Sequence, residues 1–354
     1  MRKYWYRRFL LVLLVLSVLG YAGYEITKRQ EQGRKKEVSA DTVSSDTVIP
    51  GGMPVGIYLE TEGVMVLGTE KITGADGEMT EPARHLVKAG DYIVECNGKK
   101  IADKKRLQDT LKKLDAEEVV LKLRRDSGYL DVKIKPVRNK KNQYMLGIWV
   151  RDNAQGLGTV TFLNTDSRFG ALGHGIHDTD TNTLMEIKDG RVYETSIRSI
   201  QKGAGGKPGG IEGIIVYNRY NVLGTIDKNT DCGIFGTLER TDNLFRNTEP
   251  VGIMATDEIK KGDAVIRCCV EGKVKEYKIR ITKTDKHTKE ENKGLEIKVT
   301  DPELLEITGG IIQGMSGAPI LQNGKIAGAV THVFVNDPAR GYGVFIENML
   351  KHVE

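Results

Sequence analysis

Little in this sequence points to a disulfide scaffold, a nucleic-acid surface or a repeat architecture. Cysteine is scarce, with four in 354 residues. Cys268 and Cys269 are neighbours whose side chains, on a strand, would face opposite ways. With Cys96 and Cys232 they are expected to be buried free thiols, one bridge staying open to an oxidising compartment. Basic excess is also missing from the body of the chain. The formal charge is +5, but nine of the 53 Lys and Arg and only two of the 48 Asp and Glu fall in residues 1–36. The remainder carries 44 basic and 46 acidic residues, which removes the basic stripe that a phosphate-binding face requires. No internal repeat stands out. The glycine-rich run from Gly203 to Gly213 lacks the strand, G-x-x-x-x-G-K-[ST] and helix context of a phosphate cradle, and its composition reads as a mobile loop.

Long apolar runs are absent except at residues 9–24, preceded by Arg2, Lys3, Arg7 and Arg8 and closed by Glu25. Basic residues stay on the cytoplasmic side, so the chain after this run is expected to be exported. The run is shorter than the roughly 20 residues of a spanning helix. It reads either as a cleaved signal peptide, with Gly20 and Ala22 as small residues near a cut, or as a short anchor. The expected organisation is a signal or anchor segment over 1–26, a polar linker over 27–48, a small mixed domain over 49–137 and a strand-rich domain over 145–354.

In the small domain, Pro82 to Ala89 predicts a short helix ending at Gly90, followed by a strand and an Asn97-Gly98 turn. Leu107, Leu111 and Leu114 mark one face of a further helix. From Leu146 onward, short apolar strands alternate with glycine turns, the texture of a barrel or sandwich. Within it, Gly314-Met315-Ser316-Gly317 holds a serine between glycines whose backbone freedom lets N–H groups converge beside the hydroxyl. Serine needs a base, nearly always histidine. His174, in Leu172-Gly173-His174-Gly175, follows an apolar strand and is the best placed of six. His174-x-x-His177-Asp178 also allows a metal reading, but no distant cluster of further ligands accompanies it.

The Ala89-Gly90-Asp91-x-Ile93-x-x-x-Asn97-Gly98 run resembles a PDZ domain, an α+β module in which a peptide adds as a strand and its C-terminal carboxylate sits in a glycine loop. That resemblance places the loop at Gly51-Gly52-Met53-Pro54-Val55-Gly56 and the far wall on a helix over 108–114, with Gly52, Val55, Gly56 and Leu111 as peptide-binding residues. A histidine after an early strand, a downstream Gly-x-Ser-Gly-x-Pro-Ile, Gly-Lys-Ile-Ala-Gly-Ala-Val and a late glycine strand are similar to chymotrypsin-like double-barrel serine peptidases. With the membrane segment, Ala171-Leu-Gly-His-Gly-Ile176 and Thr308-Gly-Gly-Ile-Ile-Gln-Gly-Met-Ser-Gly-Ala-Pro-Ile320, nearly the whole chain resembles the SpoIVB (stage IV sporulation protein B) peptidases.

The fold implied is mainly β, a PDZ domain followed by a chymotrypsin-like double β-barrel. The resemblance implies Ser316 as nucleophile, His174 as base, Asp301 as acid and the N–H groups of Gly314 and Ser316 as oxyanion donors. Asp231, also between histidine and serine, is the alternative acid, and His332 is expected as a wall residue. No cofactor or metal is implied. The resemblance further implies a peptidase exported towards the space between forespore and mother cell, cleaving a membrane-complex partner and itself so that pro-sigma-K is processed. The rival reading is an inactive membrane-tethered PDZ scaffold, and a serine esterase on the same barrel is a third. Nucleophile, base and oxyanion turn together favour the enzyme.

Overall fold

A computed structural model of the chain describes residues 46–114, 118–241 and 243–353. The expected membrane segment, and the linker up to residue 45, lie outside the described residues. Among the described residues no helix is long and apolar enough to cross a membrane. The linker's expected end at 48 is corrected. Thr47–Pro50 is already a strand, paired with 251–252 and with 162–163, because Val48 and Ile49 bury against the sheet.

The chain is mainly β. Six strands pair in a ring that closes on itself: Pro54–Thr69, Ile148–Leu163, Arg168–Ala171, Gly233–Leu238, Val222–Thr230 and Ile187–Tyr193. Alternation explains how such strands sit. Along 54–61, Val55, Ile57 and Leu59 are buried while Tyr58 and Glu60 point outward. A second closed barrel consists of Gly262–Cys269, Val274–Thr284, Leu295–Val299, Asp337–Phe345, Lys325–Phe334 and Pro319–Gln322. Tyr277, Ile279, Ile297, Met315, Ile320 and Val330 are among the residues that fill its interior. The expectation of two barrels is met by these pairings.

The small mixed unit is placed differently from its expected bounds of 49–137. Two long strands run through both it and the first barrel. Pro54 to Glu60 pairs with residues 153–159 in the barrel, and residues 65–69 pair with 148–151 in the small unit. Gly63, at φ 82, makes the bend, and a Cβ there would lie 2.4 Å from the Ile93 carbonyl. The small unit therefore runs from about residue 64 to 152. It holds its own core of Val64, Val66, Ile93, Leu107, Leu121 and Leu146. Its helix is Lys104–Lys112, starting ahead of the leucine pattern because the Asp103 side chain caps it by accepting from Arg106 N–H at 2.7 Å. The helix expected over residues 82–89 is absent. That segment forms turns, with His85 at φ 62, a conformation that no right-handed helix contains. The Asn97-Gly98 turn forms as expected between Tyr92–Cys96 and Lys99–Lys100.

All four cysteines are free and buried. Burial, helped by a hydrogen bond to Glu291, pushes the Cys232 thiol up to about 12, and burial raises Cys268 further.

Candidate active site

The helix Pro302–Thr308 leads into the serine turn. It ends because Gly309 takes φ 75 and its N–H bonds the Leu305 carbonyl at 3.0 Å. Ile311, Ile312 and Met315 then bury in the second barrel, so Gln313 is left exposed and Gly314 and Ser316 half-buried. Gly314 and Gly317 sit at φ 97 and 94. At Gly317 a Cβ would lie 2.1 Å from the Thr159 carbonyl, so only glycine fits. The first barrel stitches this turn through strand 148–163. Thr159 N–H donates to the Ser316 carbonyl at 2.9 Å, Thr159 Oγ1 to the Gly314 carbonyl at 2.7 Å and Thr161 Oγ1 to the Gly317 carbonyl at 2.8 Å. Gly317 N–H is taken by the Val330 carbonyl at 2.7 Å. The N–H groups of Gly314 and Ser316 have no acceptor among the described residues.

His174 follows strand Arg168–Ala171 through Leu172 and Gly173, both at φ 69. Gly173 runs against the strand behind the serine: a Cβ on it would touch Thr331 Cγ2 at 3.0 Å. Ser316 Oγ donates to the carbonyl of that same Thr331 at 2.8 Å. The rings of His174 and His332 lie 4.8 Å apart, tilted by 35°. Ser316 and His174 are thus each in contact with the adjacent residues Thr331 and His332, and His332 lines the cleft that also holds His174. His174 Nδ1 lies 2.8 Å from the Gly175 carbonyl. A carbonyl can only accept, so Nδ1 holds the proton and Nε2 keeps its lone pair. Burial pushes the His174 pKa down, the Gly175 carbonyl opposing and His177 adding to the fall. Burial, with His174 and Lys293 nearby, lowers His332 to about 4.

The two candidate acids are placed apart. Asp301 caps the helix Pro302–Thr308, accepting from the N–H groups of Glu303 at 3.0 Å, Leu304 at 3.2 Å and Lys278 at 3.1 Å. It makes no hydrogen bond to His174, so the structure does not bring the expected Asp301 to the base. Asp231 shares a cleft of about 890 Å³ with His174, His177 and His332. Its carboxylate is exposed and pairs with His177 Nε2 at 3.7 Å. The two lie at corresponding ends of paired strands, His174 just past Ala171 and Asp231 just before Ile234.

Of the peptide-binding residues, Leu111 packs at the edge of the small unit's core. Gly52, Val55 and Gly56 do not join it. Gly52 N–H bonds the Val160 carbonyl at 2.9 Å, Val55 is fully buried, and a Cβ at Gly56 would lie 2.7 Å from Ile215. Val55 and Gly56 lie in the barrel part of strand Pro54–Thr69, paired with Gly158 and Leu157, and Gly52 leads into it. The open edge beside helix Lys104–Lys112 is instead the 148–152 stretch of Ile148–Leu163. Among the described residues it pairs with 65–69 alone, and Ile148 and Val150 pack against the small unit's core.

The glycine-rich 203–213 segment is pinned rather than mobile. It joins Thr195–Gln201 to Gly210–Ile215, and Gln313 N–H donates to the Gly209 carbonyl while Ile211 N–H donates to the Gln313 carbonyl. Residues not foreseen from sequence are Thr159, Thr161 and Asn229. Asn229 clamps the histidine loop, accepting from Ile176 N–H and donating to the Ile176 and Met185 carbonyls at 2.8–2.9 Å. The spacing of two in Thr159-x-Thr161 was the only available signal. Among the described residues no group of three or more His, Cys, Asp or Glu is arranged to hold a metal. Asp178 of the metal reading is turned to Arg151.

The family model described as SpoIVB peptidase S55 matches residues 142–350. No curated protein matches the chain. Two solved structures align with it, both inactive forms of the Rv3671c protease, one described as a serine-to-alanine mutant from M. tuberculosis H37Rv. They are 13% and 14% identical, each covers 56% of this chain, and the alignments span 81% and 84% of those chains with a TM-score of 0.28.

Proposed function

The chain belongs to the SpoIVB peptidase S55 family and is a serine peptidase, and from that premise we propose that it is an exported, membrane-associated endopeptidase of sporulation signalling. Its substrate is a partner in a membrane complex and the chain itself, and its cleavage releases processing of pro-sigma-K. The basic-flanked apolar run at residues 9–24 supports the export and membrane part of this reading.

The observation that carries the chemistry is the pair of N–H groups at Gly314 and Ser316 without an acceptor among the described residues, on the turn whose serine bonds the Thr331 carbonyl next to the His332 ring that His174 contacts. Ser316 Oγ leaves the Thr331 carbonyl by rotating about its Cα–Cβ bond and attacks the peptide carbonyl carbon. His174 Nε2 takes the hydroxyl proton as the new C–O bond forms. The carbonyl oxygen gains the negative charge between the two N–H groups. Collapse breaks the C–N bond, and the imidazolium returns the proton to the leaving amine. Water then repeats the sequence on the acyl-enzyme, freeing the acid product and Ser316.

Asp231 is the carboxylate we assign to stabilising the imidazolium, since it shares the cleft and Asp301 is engaged as a cap. The small unit serves as a PDZ-type peptide reader, a peptide adding as a strand at the 148–152 edge with Leu111 on the facing helix.

Ser316→Ala and His174→Ala are each expected to abolish cleavage with unchanged circular dichroism. Wild-type chain treated with a fluorophosphonate should be labelled at Ser316, and an unlabelled, folded wild type would exclude the hydrolase.

A further inference from the structure

Among the described residues no carboxylate is hydrogen-bonded to the His174 imidazole, so its position depends on the loop that follows it. That loop, residues 176–186, is held by the small unit. Asp178 is fully buried and organises the turn. Its Oδ1 accepts from the N–H groups of Asp180 at 3.0 Å and Thr181 at 2.9 Å, and its backbone N–H donates to the Thr183 carbonyl at 2.9 Å. Its Oδ2 is taken by Arg151 Nη1, while Arg151 Nη2 reaches Asp180 at 2.7 Å. Burial opposes ionisation of Asp178, but these N–H donors and the guanidinium outweigh it and hold the carboxyl below its ordinary range. Further along, Glu186 N–H donates to the Tyr92 hydroxyl at 3.1 Å, and the Glu186 carboxylate pairs with Arg124. Met185 packs with Met65, Tyr92 and Val94, and Ile176 packs against them.

Arg151 stands on the open-edged 148–152 stretch. Strand alternation sends Ile148 and Val150 into the small unit's core and Arg151 to the opposite face, onto the loop of the base. We propose that Arg151 is a positioning residue for His174, acting through Asp178, so that the small unit sets how well the base is aimed at Ser316. The inference rests on the reading of His174 and Ser316 as base and nucleophile. It adds that the register of the 148–152 edge, and hence whatever pairs with that edge, reaches the base along Arg151, Asp178 and the short 176–178 backbone.

The consequence is kinetic rather than one of affinity, since misplacing a base by about 1 Å costs up to about a hundredfold in rate. In the full-length chain, Arg151→Ala and Asp178→Asn are each expected to lower the maximal rate of Ser316 labelling by a fluorophosphonate at least tenfold, with the concentration for half-maximal rate unchanged. The double variant should lose no more than either single one, because both break one link. Arg151→Lys, which can still reach Asp178, should recover most of the rate.

Full labelling rate in Arg151→Ala, additive losses, or failure of Arg151→Lys to rescue would overturn the proposal. A second readout does not need activity: the His174 ring resonances, assigned by His174→Gln, should move in Arg151→Ala and return in Arg151→Lys. If wild type is not labelled at all, the nucleophile reading fails. The ring resonances then still decide this inference, unmoved resonances counting against it.

Discussion

At the scale of single residues, the two stacked imidazoles set how the site responds to pH. A base must be neutral to take the Ser316 proton, and burial keeps His174 neutral below the usual histidine range. The rate of Ser316 labelling is therefore expected to hold up below pH 6.5, and an acid limb with its midpoint at or above 6.5 would contradict the burial. His332 has a stability consequence of definite sign. Its folded pKa is about 4 against an ordinary 6.5, so between these values the unfolded chain binds the extra proton. Stability falls as pH drops from about 6.5 and the loss levels off below about 4, by an amount on the order of 3 kcal/mol. His332→Phe should flatten that part of the curve in urea unfolding at pH 7 and pH 5. Ser316 and His174 stand out in the sequence because glycines frame both. An aspartate before Pro-Glu reads alike as a triad member and as a helix cap, and the fold shows Asp301 accepting from three N–H donors.

At the scale of elements, the helix Pro302–Thr308 carries the approach to the serine turn, and its cap separates two roles for Asp301. Asparagine caps a helix about as well as aspartate does. Asp301→Asn keeps the oxygen that caps Glu303 and Leu304 but loses the one that accepts from Lys278 N–H, so it should keep the labelling rate at a small cost in stability, whereas Asp301→Ala, which loses all three acceptor contacts, should lose about 1 kcal/mol or more in thermal unfolding. A collapse of activity in a well-folded Asp301→Asn would restore Asp301 as the acid. Strand texture was legible from alternation and turn residues. What misled was the stretch Glu60-Thr61-Glu62-Gly63, which reads as a turn between two short strands and is a bend within one long strand. That error carried the peptide loop to Gly52, Val55 and Gly56. The glycine-rich 203–213 segment misled in the opposite direction, because backbone hydrogen bonds to Gln313 cannot be seen in composition.

At the scale of the whole molecule, the first barrel is discontinuous in sequence, built from residues 47–61 and 153–238 around the small unit. A chain beginning at residue 145, the boundary that sequence texture offered, lacks strands Thr47–Pro50 and the barrel half of Pro54–Thr69. It is expected not to fold, which amide dispersion in NMR would show, while a chain beginning at residue 46 should fold. The family was legible because its two motifs are local, and the split barrel was not because it depends on pairings distant in sequence.

The bend at Gly63 joins a barrel strand to a partner about a hundred residues away, and such contacts are slow to form because a long loop must first be closed. The small unit lies inside that loop. Once it folds, residues 65–69 and 148–151 are already side by side, and the rest of both strands can zip from Glu60 and Asn153 toward Pro54 and Thr159. Thr159 holds the serine turn. A chain emerging N-terminus first would thus complete its small unit before the Ser316 turn is seated.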